Sequence, residues 1–161
     1  MTPRFLLPCL FLAPLAVQAE QLEMSYEAVM HTAEVQTIEI LDDPAHHVGI
    51  AKFRGIALFE AEKPIVHRYE GWFDLVDGSG AFHGHALWDF GDGSEIRAAY
   101  EGHAEATSDG GVTVSAEIHD FSGTGRFEGA TGEGSFAGER IDTLEAGGGT
   151  YITGVLNLTT P

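Results

Sequence analysis

Clusters of Gly, Asp, Ser and Pro interrupt the chain at short, nearly even intervals, and this punctuation constrains the fold more than any other feature. The breakers are Asp42-Asp43-Pro44, Glu62-Lys63-Pro64, Gly78-Ser79, Gly91-Asp92-Gly93, Asp109-Gly110-Gly111, residues 122–131 and Gly147-Gly148-Gly149. They separate eight segments: Met24–Ile40, His47–Ala61, Ile65–Asp77, Gly80–Phe90, Ser94–Thr107, Val112–Phe121, Gly132–Ile141 and Thr150–Thr160. Polar and apolar residues alternate within them, and most run to about 8 to 15 residues, which is the pattern of an all-β sandwich or barrel. Helical periodicity is nearly absent. Short glycine-rich connections join neighbouring segments as antiparallel hairpins, because Gly, Asn and Asp enter positive φ at little cost. The expected fold is all-β: one eight-stranded antiparallel closed β-barrel.

The third, fourth and fifth segments can be placed in register. Tyr69, Gly71, Phe73 and Leu75 share one face, as do Phe82, Gly84, Ala86, Trp88 and Phe90. A two-residue Gly78-Ser79 turn sets Leu75 opposite Phe82, Phe73 opposite Gly84 and Tyr69 opposite Trp88. The fifth segment carries its apolar set at Ile96, Ala98, Tyr100, Gly102 and Ala104. A two-residue turn would put that set on the wrong face, since a one-residue slip flips every side chain. A three-residue Gly91-Asp92-Gly93 loop with a bulge restores agreement and pairs Trp88 with Ile96, Ala86 with Ala98, and Gly84 with Tyr100. Large and small residues then alternate on the inner face, as a small barrel needs to fill a tapering interior.

The N-terminus reads as a separate unit. Arg4 precedes the apolar run Phe5–Val17, and Val17-Gln18-Ala19 places small residues where a signal peptidase cuts. Residues 1–19 are expected to be a signal peptide and 20–161 a single barrel domain, exported across an inner membrane to the periplasm or the medium. The apolar run is shorter than the ~20 residues that span a bilayer, so no membrane span is expected. The single cysteine, Cys9, lies in this leader. The mature chain then has no disulfide and no thiolate for a metal. Lys and Arg number 8 against 25 Asp and Glu, a net charge of −17. That balance opposes nucleic acid and anionic membrane as partners, both of which need basic patches.

Two stretches carry more specific information: Trp88-Asp89-Phe90-Gly91-Asp92-Gly93-Ser94-Glu95-Ile96 running on to Gly102, and Gly123-Thr124-Gly125-Arg126-Phe127-Glu128-Gly129-Ala130-Thr131-Gly132. Together they resemble the allene oxide cyclase barrel family and the related dirigent proteins, over roughly residues 65 to 140. The resemblance implies an eight-stranded antiparallel barrel of calycin-like form, commonly a trimer, with a cavity for an apolar small molecule. In the corner motif the glycines permit tight bends and Phe127 plugs the barrel end. No helix follows that motif, which removes the phosphate-loop reading. The cyclase carboxylate has no matching motif in Met24–Ile40, and no dirigent-type acidic motif surrounds Asp120.

Continuing the register by pairing Ala104 with Val112 sets Asp120 opposite Ile96. Asp120 then faces inward near Trp88 and Tyr69, with His67 beyond, opposite Phe90. A desolvated carboxylate beside an imidazole and a phenol can do general acid–base chemistry on an apolar substrate. His67, Tyr69 and Asp120 are therefore the catalytic candidates, set against a plain role in capping the barrel end in water. Phe73, Trp88, Phe90 and Tyr100 are the expected ligand-binding aromatics. His83 and His85 share a strand face and could together reach one zinc or copper ion. In this register they point outward, with Asp74 and Glu101 beside His83 and with Trp72 and Ala99 beside His85, so a solvated polar face is the competing reading. No cofactor is indicated. Three functions remain open: an exported barrel holding an apolar or aromatic molecule, with isomerase or cyclase activity; a non-catalytic structural or interaction module of the cell envelope; and a periplasmic metal-binding protein. A dimer or trimer is the expected assembly.

Overall fold

A computed structural model describes residues 19–161. Eight strands form one closed antiparallel barrel in sequence order: β1 Glu20–Ile40, β2 Asp43–Phe59, β3 Ile65–Val76, β4 Ser79–Asp89, β5 Glu95–Ala106, β6 Val112–Thr124, β7 Thr131–Arg140 and β8 Thr150–Thr160. Closure comes from β1 pairing with β8, so no strand edge is left unpaired. The fold class and strand count are those expected. The leader assigned to residues 1–19 lies outside the described residues, apart from Ala19.

Local chemistry sets the ends of the strands. The β3–β4 turn is Asp77-Gly78, both at positive φ (51° and 78°), with Val76 opposite Ser79. Two left-handed residues in a row make the type I′ turn that suits strand twist. The expected Gly78-Ser79 turn is thus displaced by one residue, and the ladder shifts by two. Leu75 faces Gly80, Phe73 faces Phe82, Gly71 faces Gly84, Tyr69 faces Ala86 and His67 faces Trp88. A two-residue shift keeps every side chain on its face, which is why the inside set is right while the partners are not. The β4–β5 register is as expected, with Trp88 opposite Ile96 and Gly84 opposite Tyr100. Phe90 N donates to Ser94 O across Gly91-Asp92-Gly93. The strand β2 begins at Asp43, earlier than expected, because Leu41 and Asp42 both take positive φ and make the turn themselves.

The bore divides into two halves. One half is packed around Tyr26, Phe59, Trp88, Ile96, Ile118, Leu156 and Leu158, with the buried ring of His67 stacked on Trp88. Its end is closed by Phe127, in the 3-10 turn Gly125–Phe127, whose ring lies 4.9 Å from that of Phe90. The Arg126 guanidinium covers both rings, at 4.6 and 4.9 Å, and pairs with Glu62. In the other half large rings fit over glycines. A Cβ on Gly84 would stand 2.6 Å from the Tyr100 hydroxyl, and one on Gly49 would overlap the Phe73 ring. Large-to-small alternation therefore holds, with Tyr100 over Gly84 as expected and Phe73 over Gly49 of β2 in place of Gly84.

Candidate functional site

The open half of the bore contains a cavity of about 60 Å³. Its wall is aromatic: Phe53, Tyr69, Phe73, Phe82, Tyr100 and Phe136. They come from the inward series of five strands: Phe53 from β2, Tyr69 and Phe73 from β3, Phe82 from β4, Tyr100 from β5 and Phe136 from β7. Phe53 stacks on Tyr69 at 4.3 Å, Tyr69 meets Tyr100 edge-on at 5.9 Å, and Phe136 lies 5.9 Å from Tyr100. One water needs about 10–15 Å³ of such space, and small-molecule sites span about 300–1,000 Å³. The cavity thus takes a short apolar group and not a whole drug-sized molecule. Outside it, a depression of about 610 Å³ shares Phe73, Leu75, Arg140 and Leu144 with the cavity and leads to solvent. Leu144, on the β7–β8 loop, is buried over this mouth.

Polar groups reach the cavity from Tyr69, Thr150 and Arg140. Thr150 Oγ1 donates to the Gly148 carbonyl at 2.7 Å. Burial raises the Tyr69 phenol above its ordinary value, against the opposing pull of Arg140 and a hydrogen bond with Thr150. Burial likewise raises Tyr100. Both phenols are donors across the physiological range. Desolvation lowers the Arg140 guanidinium from its ordinary value, and its Nε is sealed from solvent with no hydrogen-bond partner.

The expected site residues separate. Phe73, Tyr100 and Tyr69 line the cavity. Trp88 and Phe90, expected beside them, belong to the packed half and its plug. His67 is 1% exposed, stacked on Trp88 at 4.8 Å, and its Nδ1 donates to the Leu87 carbonyl at 3.0 Å. Burial depresses its pKa to about 4, so the ring is neutral at pH 7. His67, Trp88 and Tyr26 form an aromatic cluster that the cavity does not reach.

Asp120 is not in the bore. The β5–β6 ladder starts with Ala106 opposite Val112 and slips between Arg97 and Ala99, leaving Asp120 in a bulge at φ 54°. Its carboxylate is 84% exposed and pairs with His119 at 3.0 Å. The bulge turns outward the one residue that strict alternation would have placed inside. His83 and His85 point outward as expected, with Glu101 and Ala99 beside them on β5 as expected and different neighbours on β3. His83 stacks on Trp72 at 5.3 Å, and His85 lies opposite Glu70. Asp74, expected beside His83, bonds His46 instead. Among the described residues no group of three or more His, Cys, Asp or Glu is arranged to hold a metal.

Sequence reasoning missed Arg140, although its signal is present. Gly134, Phe136, Gly138 and Arg140 form the inward series of β7, so the bore's glycine–aromatic face ends on a guanidinium.

No family model matches the chain, and no curated protein matches it. Among solved structures it is similar to a β-barrel-like protein from Acinetobacter baumannii, with a TM-score of 0.51 and 16% identity over 92% of this chain and 99% of that one. It is also similar to a pterocarpan synthase dirigent protein, with a TM-score of 0.47 and 11% identity over 94% and 96%. At these identities the likeness to the Acinetobacter protein is one of fold alone.

Proposed function

We propose that the protein is an exported small-molecule-binding barrel, and that the open half of its bore receives a short apolar or aromatic group. The observation that carries this reading is the aromatic cavity of about 60 Å³ beside the packed half of the bore. Binding without turnover fits better than an isomerase or cyclase, because His67 is sealed in the packed half and Asp120 stands outside. Native mass spectrometry on protein recovered from its own host tests this. A retained organic mass is expected on a chain that starts at Glu20. The cavity-filling substitution Ala104→Leu should remove it, since Ala104 lines the cavity and is 3% exposed. The same adduct on the variant would place the ligand elsewhere. A bare chain whose Tyr100 signals do not respond to millimolar hexan-1-ol would end the reading.

A second reading has its own observation. Tyr151, Val29, Ile56 and Val66 are direct cross-strand partners in one row on the outside of β8, β1, β2 and β3. Tyr151, Val29 and Ile56 are each about half exposed, as is Leu58, two residues along β2 from Ile56 and opposite Glu27. A contiguous apolar strip on so charged a chain suits association with a second copy, which agrees with the expected dimer or trimer. The two readings are compatible.

A further inference from the structure

We propose that Arg140 is a binding residue, anchoring the carboxylate of a small monoanionic ligand whose apolar tail enters the aromatic cavity. This inference rests on the bore being a ligand site. Arg140 ends β7 on the inner face, between Val112 of β6 and Thr150 of β8. It is the one Lys or Arg among the cavity-lining residues. None of the ion pairs among the described residues includes it. Glu145, on the β7–β8 loop, acts on it through its charge without reaching it as an ion pair. A guanidinium taken partly out of water without a carboxylate is costly, and a protein keeps such a group where something pairs with it. Its planar fork matches a carboxylate. The Tyr69 hydroxyl, on the same wall, stays protonated and supplies a further donor.

Size and charge narrow the ligand. The cavity takes only a short apolar segment, so the headgroup lies at the mouth, where Arg140 and Leu144 border both the cavity and the outer depression. The rim of that depression carries Glu39, Asp77, Asp142 and Glu145. These carboxylates leave the mouth acidic, so a negative charge is favoured only in contact with the guanidinium itself, and a second charge on the ligand is repelled. A short-chain or aryl monocarboxylate fits these conditions; a dicarboxylate or phosphate monoester does not.

The test compares hexanoate, hexan-1-ol and adipate by calorimetry and by the ring signals of Phe73, Phe82 and Phe136. Hexanoate is expected to bind about tenfold or more tightly than hexan-1-ol, the range for a hydrogen-bonded charge, with adipate weaker than both. Arg140→Met should bring hexanoate down to the level of the alcohol and leave the alcohol unchanged. Arg140→Lys, which keeps the charge without the fork, should fall between them. Without ligand, Arg140→Met should melt at a higher temperature than wild type, because a partly desolvated and unpaired charge is gone; a purely structural arginine would give the reverse. Equal binding of acid and alcohol, or an Arg140→Met variant that keeps the preference, overturns the anchor and leaves the cavity reading standing. Rings that respond to neither compound overturn both.

Discussion

His67 is a histidine that the barrel holds neutral. Stacked on Trp88 and out of solvent, it keeps one hydrogen bond, to the Leu87 carbonyl, and loses the water that would stabilise its charged form. Its folded pKa of about 4 lies below the unfolded value near 6.5. Between these values the unfolded chain binds a proton that the folded chain refuses, so stability falls as pH drops from about 6.5 to 4 and is unaffected by this group above 6.5. The whole effect is on the order of 3 kcal/mol. Chemical denaturation at pH 7 and pH 4 should show wild type losing about that much more than His67→Phe. Equal losses would mean that His67 is not desolvated. This pH response belongs to the packed half of the bore and is separate from any ligand effect at Arg140.

The elements that misled a simple alternation are bulges and turns. Asp120 sits at φ 54° where β6 slips against β5. A left-handed conformation costs a branched residue roughly 1–2 kcal/mol, and glycine pays little of it. Asp120→Gly should therefore keep its denaturation midpoint within about 1 kcal/mol of wild type, while Asp120→Val should lose roughly 1–2 kcal/mol. Neither should change binding in the bore, since the side chain faces solvent. A loss of binding in Asp120→Gly would return Asp120 to the site. The β3–β4 hairpin carries the same lesson. Asp77-Gly78 and Gly78-Ser79 both look like turns in sequence, and they differ by two residues in ladder register. Each keeps the same inner face, so alternation has no power to choose between them.

For the molecule as a whole, closure decides where polarity goes. With β1 paired to β8, the inner face becomes a core with one small opening, and every other charge must stand outside. The outer face of β8, β1, β2 and β3 is the exception, with Tyr151, Val29, Ile56 and Leu58 half exposed. If that strip joins copies of the chain, sedimentation should find a dimer or trimer in wild type and a monomer in the Val29→Glu, Ile56→Glu double variant. Those positions face outward, so the variant should stay folded, with only the small loss that two like charges placed directly opposite bring. A wild-type monomer at high micromolar concentration would remove the association reading and leave the bore untouched.

The spacing of Gly and Asp clusters, the period-two alternation and the wrong-face argument at Gly91-Asp92-Gly93 determined by themselves the strand count, the barrel, the inner face of β3 to β5 and the β4–β5 register. These are local properties, because a turn's φ values and a strand's two faces are set by neighbouring residues. Tertiary structure decided the rest. Cross-strand partners depend on which residue begins a turn. The place of His67 against Trp88 follows from the turn that sets the β3–β4 ladder, and the exposure of Asp120 from a slip between β5 and β6 that local alternation does not mark. Arg140 drew no notice in sequence, where alternation alone puts it at the end of the inward series of β7. Its importance comes from the bore, which only the closed barrel creates, by bringing β3, β5 and β7 around one space and removing the water that would otherwise solvate the guanidinium.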